Sequence, residues 1–182
     1  MEAADLTARK SENGPSSESL VAAMLDPEFY PKPPPAVTHR ETHISHLFFA
    51  GDVVYKIKKP VQFSFLDFST LAKRRYYIEQ ELRLNGRLAP SVYLGVVPIG
   101  FDGARWELDR SSKPAEYALV MRRLPEKRFL KFLLETNQVT PEMMEKLAKL
   151  IAEFHAGRVE ARNSAAGDGV TVSVSLPCAR HE

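Results

Sequence analysis

Three lysines crowd four positions of the segment GDVVYKIKKP at residues 51–60: Lys56, Lys58 and Lys59. Their neighbours Val53, Val54, Tyr55 and Ile57 favour an extended strand. Successive side chains of a strand point to opposite faces, so Lys56 and Lys58 share one face with Val54, while Tyr55, Ile57 and Lys59 share the other. A lysine on a half-buried strand needs a counter-charge, because an unpaired buried ammonium is costly. Glu79 and Glu81, in the downstream run IEQELRL, are the candidates. Two uses fit this pattern. Strand lysines can guard a sheet edge against pairing with another chain. A strand lysine held by a helix carboxylate can instead present its charge to a phosphate. The acidic pair has an ordinary role of its own, as a solvated helix face with partners four residues away.

Composition narrows the classes. Of the 182 residues, 44% are hydrophobic and 26% charged, which suits a soluble globular chain with a real core. The basic pairs Lys58-Lys59, Arg74-Arg75 and Arg122-Arg123 interleave with Phe63, Tyr76 and Tyr77. Yet 25 basic residues face 23 acidic ones, so there is no net electrostatic footprint for nucleic acid. The single cysteine, Cys178, excludes an internal disulfide framework and a cysteine-based zinc site. The first residues lack a secretory apolar region, and no apolar run is long enough to span a membrane, so no membrane association and a cytoplasmic location are expected. His155 closes a helix, where an imidazolium interacts well with the helix dipole.

The elements that must position the lysines follow from periodicity. Residues 1–17 are polar and expected to be disordered. SLVAAML forms a short helix with Leu20, Val21, Met24 and Leu25 on one face, stopped by Pro27. AVTHRE, HLFFA and VVYKIK are strands, the last two joined by a tight reversal at Gly51-Asp52. STLAKRRYYIEQELRLNGRLA is a long helix capped by Ser69 or Thr70, with Leu71, Ile78, Leu82, Leu84 and Leu88 at helical spacing. VYLGVVPIG, ARWELD and AEYALVMRRL form a meander, turning at Asp102-Gly103. EKRFLKFLLE is a short helix. TPEMMEKLAKLIAEFHAG is a helix capped by Thr140, with Pro141 in its first turn and Gly157 past its end. Met143, Met144, Leu147, Leu150, Ile151 and Phe154 are expected to be its buried stripe. The alternating VTVSVSL of the tail suits a strand without an evident partner. The expected class is α+β, an antiparallel sheet of about five strands with one packed helix.

The joined blocks GDVVYKIKKP, FLDFSTL and ELRLNGRLAP, with EYALVMRRLP and LAKLIAEFHAG, carry a resemblance over roughly residues 18–157. The chain resembles the start of a bacterial family related to aminoglycoside phosphotransferases, whose full-length members often carry a P-loop kinase domain as well. That resemblance implies a protein-kinase-like N-terminal lobe at 18–124 and the start of a helical C-lobe at 125–157, followed by an atypical tail at 158–182. It implies ATP between the lobes. Lys56 looks like the lysine that contacts the α- and β-phosphates, with Lys58 as the alternative. Glu81 looks like its helix partner, with Glu79 as the alternative. Ser45, in THIS, occupies the phosphate-covering hairpin. VMRRL looks like the hinge, where Met121 and the backbone of Arg122 and Arg123 would meet adenine.

Enzymes of this kind also use an aspartate to accept the substrate hydroxyl proton and another to hold magnesium. After His155 the only aspartate is Asp168, and the only later histidine, His181, precedes Glu182. No catalytic or metal-binding residue is therefore assigned, and magnesium is expected only if a further lobe is supplied. The expectation is a truncated phosphotransferase-like domain with a weak or partial ATP site, inactive alone. The alternative is a non-enzymatic interaction module that binds a protein partner or itself through an exposed lobe face. In that alternative the helix PEMMEKLAKLIAEFHAG turns its Met/Leu stripe to water.

Overall fold

The computed structural model describes residues 16–156, 161–163 and 170–172. Helix α1 spans Ser17–Leu25 and is opened by Ser16, whose hydroxyl accepts from the Ser19 amide. Asp26 ends it and caps a 3-10 turn at Pro27–Phe29. Three strands follow, β1 (Val37–Glu41), β2 (Ser45–Ala50) and β3 (Val53–Lys58), then the short strands β4 (Gln62–Phe63) and β5 (Leu66–Asp67). Helix α2 covers Leu71–Asn85, and the meander is β6 (Tyr93–Phe101), β7 (Trp106–Leu108) and β8 (Pro114–Arg122). Helices α3 (Leu130–Glu135) and α4 (Pro141–His155) come next, then β9 (Ala161–Asn163) and β10 (Val170–Val172).

The chain is α+β with a six-stranded antiparallel sheet in the order β1-β2-β3-β8-β6-β7. The sixth strand, β7, is only three residues long. It completes a meander whose turn at Asp102 is secured by the Asp102 carboxylate, which accepts from the Ala104 and Arg105 amides. The reversal at Gly51-Asp52 pairs Ala50 with Val53, and Gly51 takes the positive φ (62°) that the turn requires. β4 and β5 form a separate two-stranded tab, as do β9 and β10, which gives part of the tail alternation its partner.

The core lies on one face of the sheet. Phe48, Ile57, Ile99 and Ala118 meet Leu20 and Met24 of α1, with Val37, Tyr55, Val97 and Trp106 around them. Burying side chains such as Met24 and Phe48 completely stabilises the fold by about 1.5–3 kcal/mol each. Tyr30 locks the helix down by donating its hydroxyl to the Met24 carbonyl at 2.6 Å. Two helices, not one, therefore pack on the sheet, and Leu25 at the end of α1 is exposed rather than part of its buried face.

Helix α2 packs against β8 and β6. Thr70 is its cap, accepting from the Lys73 amide. The apolar stripe expected for it is thin: Ile78 is buried, but Leu84 is exposed, and Arg74 is buried instead. Arg74 donates to Glu116 of β8 at 2.8 Å and to the Phe68 carbonyl at 3.1 Å, which ties the start of α2 to the sheet. Burial pushes the Glu116 carboxyl up, against the opposing pull of Arg74.

The helix α4 forms as its caps dictate, with Thr140 accepting from the Met143 amide and Pro141 in the first turn. Its expected buried stripe is not buried. None of its residues is, and Met143, Met144 and Ile151 are exposed, because among the described residues it packs closely on no other element. No described helix is long and apolar enough to cross a membrane. Of the disorder expected at residues 1–17, Ser16 and Ser17 instead cap and open α1, while residues 1–15, the Gly157 cap, and Asp168, Cys178 and His181 lie outside the described residues.

Candidate functional site

The face of the sheet opposite the α1 core carries the site. Strand alternation puts Ile57 into the core and Val54, Lys56 and Lys58 on the other side. On that side β2 contributes Ser45, Leu47 and Phe49, directly opposite Lys58, Lys56 and Val54. β8 contributes Leu119 beside Lys56 and Met121 beside Val54.

Helix α2 brings one carboxylate to two lysines. Glu81 accepts from Lys56 at 2.5 Å through one oxygen and from Lys58 at 3.0 Å through the other. Glu79 is not brought there; it faces solvent and pairs with Arg75 one turn earlier in α2. The two lysines differ sharply in setting. Lys56 is 22% exposed at its side chain, whereas Lys58 is 5% exposed and its ammonium sits over the Phe68 ring at 4.6 Å. Burial alone would raise the Glu81 carboxyl, but the hydrogen bonds and charges of Lys56 and Lys58 outweigh it and hold it below the usual carboxylate range. Burial pulls Lys58 below the ordinary lysine value, with Glu81 opposing. Both values fall, that of Glu81 because of the lysines and that of Lys58 because burial outweighs the carboxylate 3.0 Å away.

Two clefts open beside this triad. One, of about 770 Å³, is lined by Thr42, His43, Ile44 and Ser45 of the β1–β2 turn, by Leu47 and Lys56, and by Phe63 and Phe65 of the β4–β5 tab. The turn is shaped by the Thr42 hydroxyl, which accepts from the Ile44 and Ser45 amides. Ser45 is fully buried, and its hydroxyl has no hydrogen-bond partner among the described residues. Such groups are uncommon, because a buried hydroxyl left unpaired costs about 1–3 kcal/mol. The other cleft, of about 270 Å³, shares Leu47 and adds Phe49, Val54, Tyr93, Met121 and Leu124, with Arg40, Arg123 and Glu126 at its rim. The guanidinium groups of Arg40 and Arg123 both lie over the Phe49 ring, at 5.5 and 5.4 Å.

The hinge expectation meets a limit here. The Arg122 amide donates to the Val92 carbonyl and the Arg123 amide to the Asp52 carbonyl, each at 2.8 Å. Neither N–H is free for a base, so recognition there would rest on the apolar walls and on carbonyl oxygens. Among the described residues no group of three His, Cys, Asp or Glu side chains is arranged to hold a metal.

Sequence reasoning missed the aromatic tab, where Phe63 and Phe65 stack at 5.8 Å and Phe65 is mostly exposed. The FSF alternation was its only signal. It also missed the buried Arg74–Glu116 pair and a His39–His46 contact, whose ring nitrogens lie 3.0 Å apart. The histidine contact follows from strand register, since His39 pairs with Phe48 and His46 with Glu41, two rungs apart and on one face of β1 and β2.

No protein-family model matches the chain. It is similar to an uncharacterized protein of Mycobacterium bovis, with 34% identity over 121 residues. Uncharacterized proteins from two strains of Mycobacterium tuberculosis match to the same extent. The match covers 66% of this chain but 23% of each relative, so the chain spans about a quarter of their length. Among solved structures it is similar to WbdD in complex with the kinase inhibitor LY294002. That likeness has a TM-score of 0.34 and 20% identity, over 68% of this chain and 27% of that one. A second WbdD structure gives 0.36 and 16%, over 82% and 35%. TM-scores of this size do not establish a shared fold.

Proposed function

We propose that the chain is a kinase-like N-terminal lobe whose paired clefts bind the phosphates and base of a nucleotide such as ATP. One observation carries this reading. Lys56 is held by Glu81, yet it lines an open cleft that Ser45 also lines. An ammonium at the wall of an open cleft suits a phosphate oxygen, and the turn of residues 42–45 lines the same space. The apolar walls Leu47, Val54 and Met121 suit the face of a base. The resemblance of GDVVYKIKKP, FLDFSTL and ELRLNGRLAP to phosphotransferase-like proteins supports the same reading.

ATP fits these residues. Bound there, it would supply a transferable phosphoryl group, while Lys56 would orient the phosphates and the apolar cleft would exclude water from the base. Magnesium does not fit them, since no set of carboxylates is gathered among the described residues. A metal and a catalytic base would come from polypeptide beyond these residues. A half-site of this kind binds weakly, with a dissociation constant of about 0.1–10 mM. The test is a fluorescence titration with trinitrophenyl-ATP, displaced by ATP. Saturable, displaceable binding supports the reading. A signal that ATP cannot displace contradicts it.

A second reading is an interaction module, favoured by the exposure of Met143, Met144 and Ile151 on α4. In that case the stripe takes an apolar helical partner, and Met144→Glu abolishes association measured by sedimentation. A wild type that remains monomeric alone and beside the unmatched remainder of its mycobacterial relatives contradicts this reading.

A further inference from the structure

We propose that Lys58 is a positioning residue that never touches the ligand and acts by setting the charge of the site. The inference rests on the nucleotide reading above and assigns a role that reading leaves open. The observation is that Glu81 is shared. It spends one oxygen on Lys56 and the other on Lys58, so two ammonium groups face one carboxylate and a single positive charge remains. A lone Lys56–Glu81 pair would be neutral as a unit, and its carboxylate would repel an incoming anion almost as strongly as its ammonium attracts one. With Lys58 in place, the Glu81 charge is answered from behind, and the charge of Lys56 is available to the cleft.

Geometry separates the two lysines. Lys56 lines the larger cleft, and Lys58 lines neither cleft. The Lys58 ammonium is enclosed between the buried Phe68 ring and the Glu81 carboxylate, which leaves it no route to a ligand. Its strand position is opposite Ser45, so the rung that carries the hidden cation also carries the orphaned hydroxyl. A lysine placed only to fill space would not need a charge there, because a methionine of similar shape would pack on Phe68 without desolvating an ammonium. Retaining the charge makes sense if the charge is used.

The experiment is a calorimetric titration with pyrophosphate, which probes the anion subsite without a base. It compares the wild type with Lys58→Met, Lys58→Arg and the double variant Lys58→Met/Glu81→Gln. Lys58→Met keeps the packing stem but leaves a neutral Lys56–Glu81 pair, and affinity should fall roughly tenfold. Removing the Glu81 charge as well restores the net charge, and affinity should return to within about threefold of the wild type. Lys58→Arg should bind like the wild type. A purely structural role would not allow the second substitution to rescue the first. Unchanged binding by Lys58→Met, or a double variant no better than Lys58→Met, overturns the inference alone. No pyrophosphate binding by the wild type overturns the nucleotide reading along with it. Should the variants fail to fold, amine labelling of the wild type decides. Pyrophosphate should protect Lys56 from modification, while Lys58 stays unmodified throughout. Labelling of Lys58 that pyrophosphate blocks would make it a contacting residue and overturn the proposal.

Discussion

Glu81→Gln removes the one carboxylate that two lysines share, and its cost can be worked from burial. Lys58 is 5% exposed and Glu81 16%, so neither charge is screened much by solvent. Breaking a buried ion pair by removing one partner typically costs about 3–5 kcal/mol, because the remaining charge is left uncompensated. Two things reduce that figure here. The amide oxygen of glutamine can still accept one hydrogen bond, and the Phe68 face contributes roughly 0.5–2 kcal/mol to holding the ammonium. The expected loss is about 2–4 kcal/mol at neutral pH, a large share of the stability of a domain this size. The pH dependence has a definite sign. With Glu81 neutralised, the Lys58 value in the folded state drops further below the unfolded one. The folded state is then penalised wherever the unfolded chain binds the proton more readily, and the penalty shrinks as pH rises toward the ordinary lysine value of about 10.4. Urea unfolding followed by circular dichroism at neutral and alkaline pH measures both quantities. A loss under about 1 kcal/mol at neutral pH, or one that does not shrink on alkalinisation, would refute the reasoning.

Other perturbations probe the scaffold. Arg74→Met strands the buried Glu116 and should cost about 3–5 kcal/mol in chemical denaturation, with more than half recovered when Glu116→Gln is added. Met24→Ala empties a fully buried position of the core and should cost about 2–5 kcal/mol by the same assay. His46 is held below the ordinary imidazole value by burial, then by Lys59 and His39, against Glu41. Its contribution is therefore present above about pH 6.5 and lost as pH falls through the lowered folded value. The urea midpoint should decline across that window, and His46→Phe should flatten the decline. In the wild type, the stability that the paired Glu81 contributes should begin to fall as pH drops through the ordinary glutamate value of about 4.3 and be lost as pH passes through the lowered folded value.

What the sequence could disclose followed its periodicities. Strand alternation placed Lys56 and Lys58 on one face, and the structure keeps them there, because the two-residue period leaves no other choice once Ile57 is in the core. The cap Thr140, and Thr70 as one of two candidates with Ser69, were legible because a hydroxyl before an apolar run has a local mechanism. Residue pattern alone left Glu79 and Glu81 open and only the resemblance put Glu81 first; in the structure Glu81 meets the lysines and Glu79 pairs with Arg75. The buried Arg74 is invisible to any hydrophobic pattern, as its place depends on Glu116, far along the chain. The stripe on α4 shows the reverse failure. Amphipathic spacing tells which face is apolar, not whether anything covers it, and Met143, Met144 and Ile151 remain exposed. The amides of Arg122 and Arg123 were equally unreadable, because Val92 and Asp52 reach them only after the sheet closes.

The most direct test of the central claim is isothermal calorimetry of ATP with magnesium, wild type against Lys56→Ala. Lys56 lines the cleft and is partly exposed, so its removal would delete the proposed phosphate contact without stranding the buried Lys58, which keeps Glu81 as its partner. The account expects weak saturable binding by the wild type and none by the variant, with both proteins folded. Equal binding by the two, or no heat from the wild type at millimolar nucleotide, would contradict it.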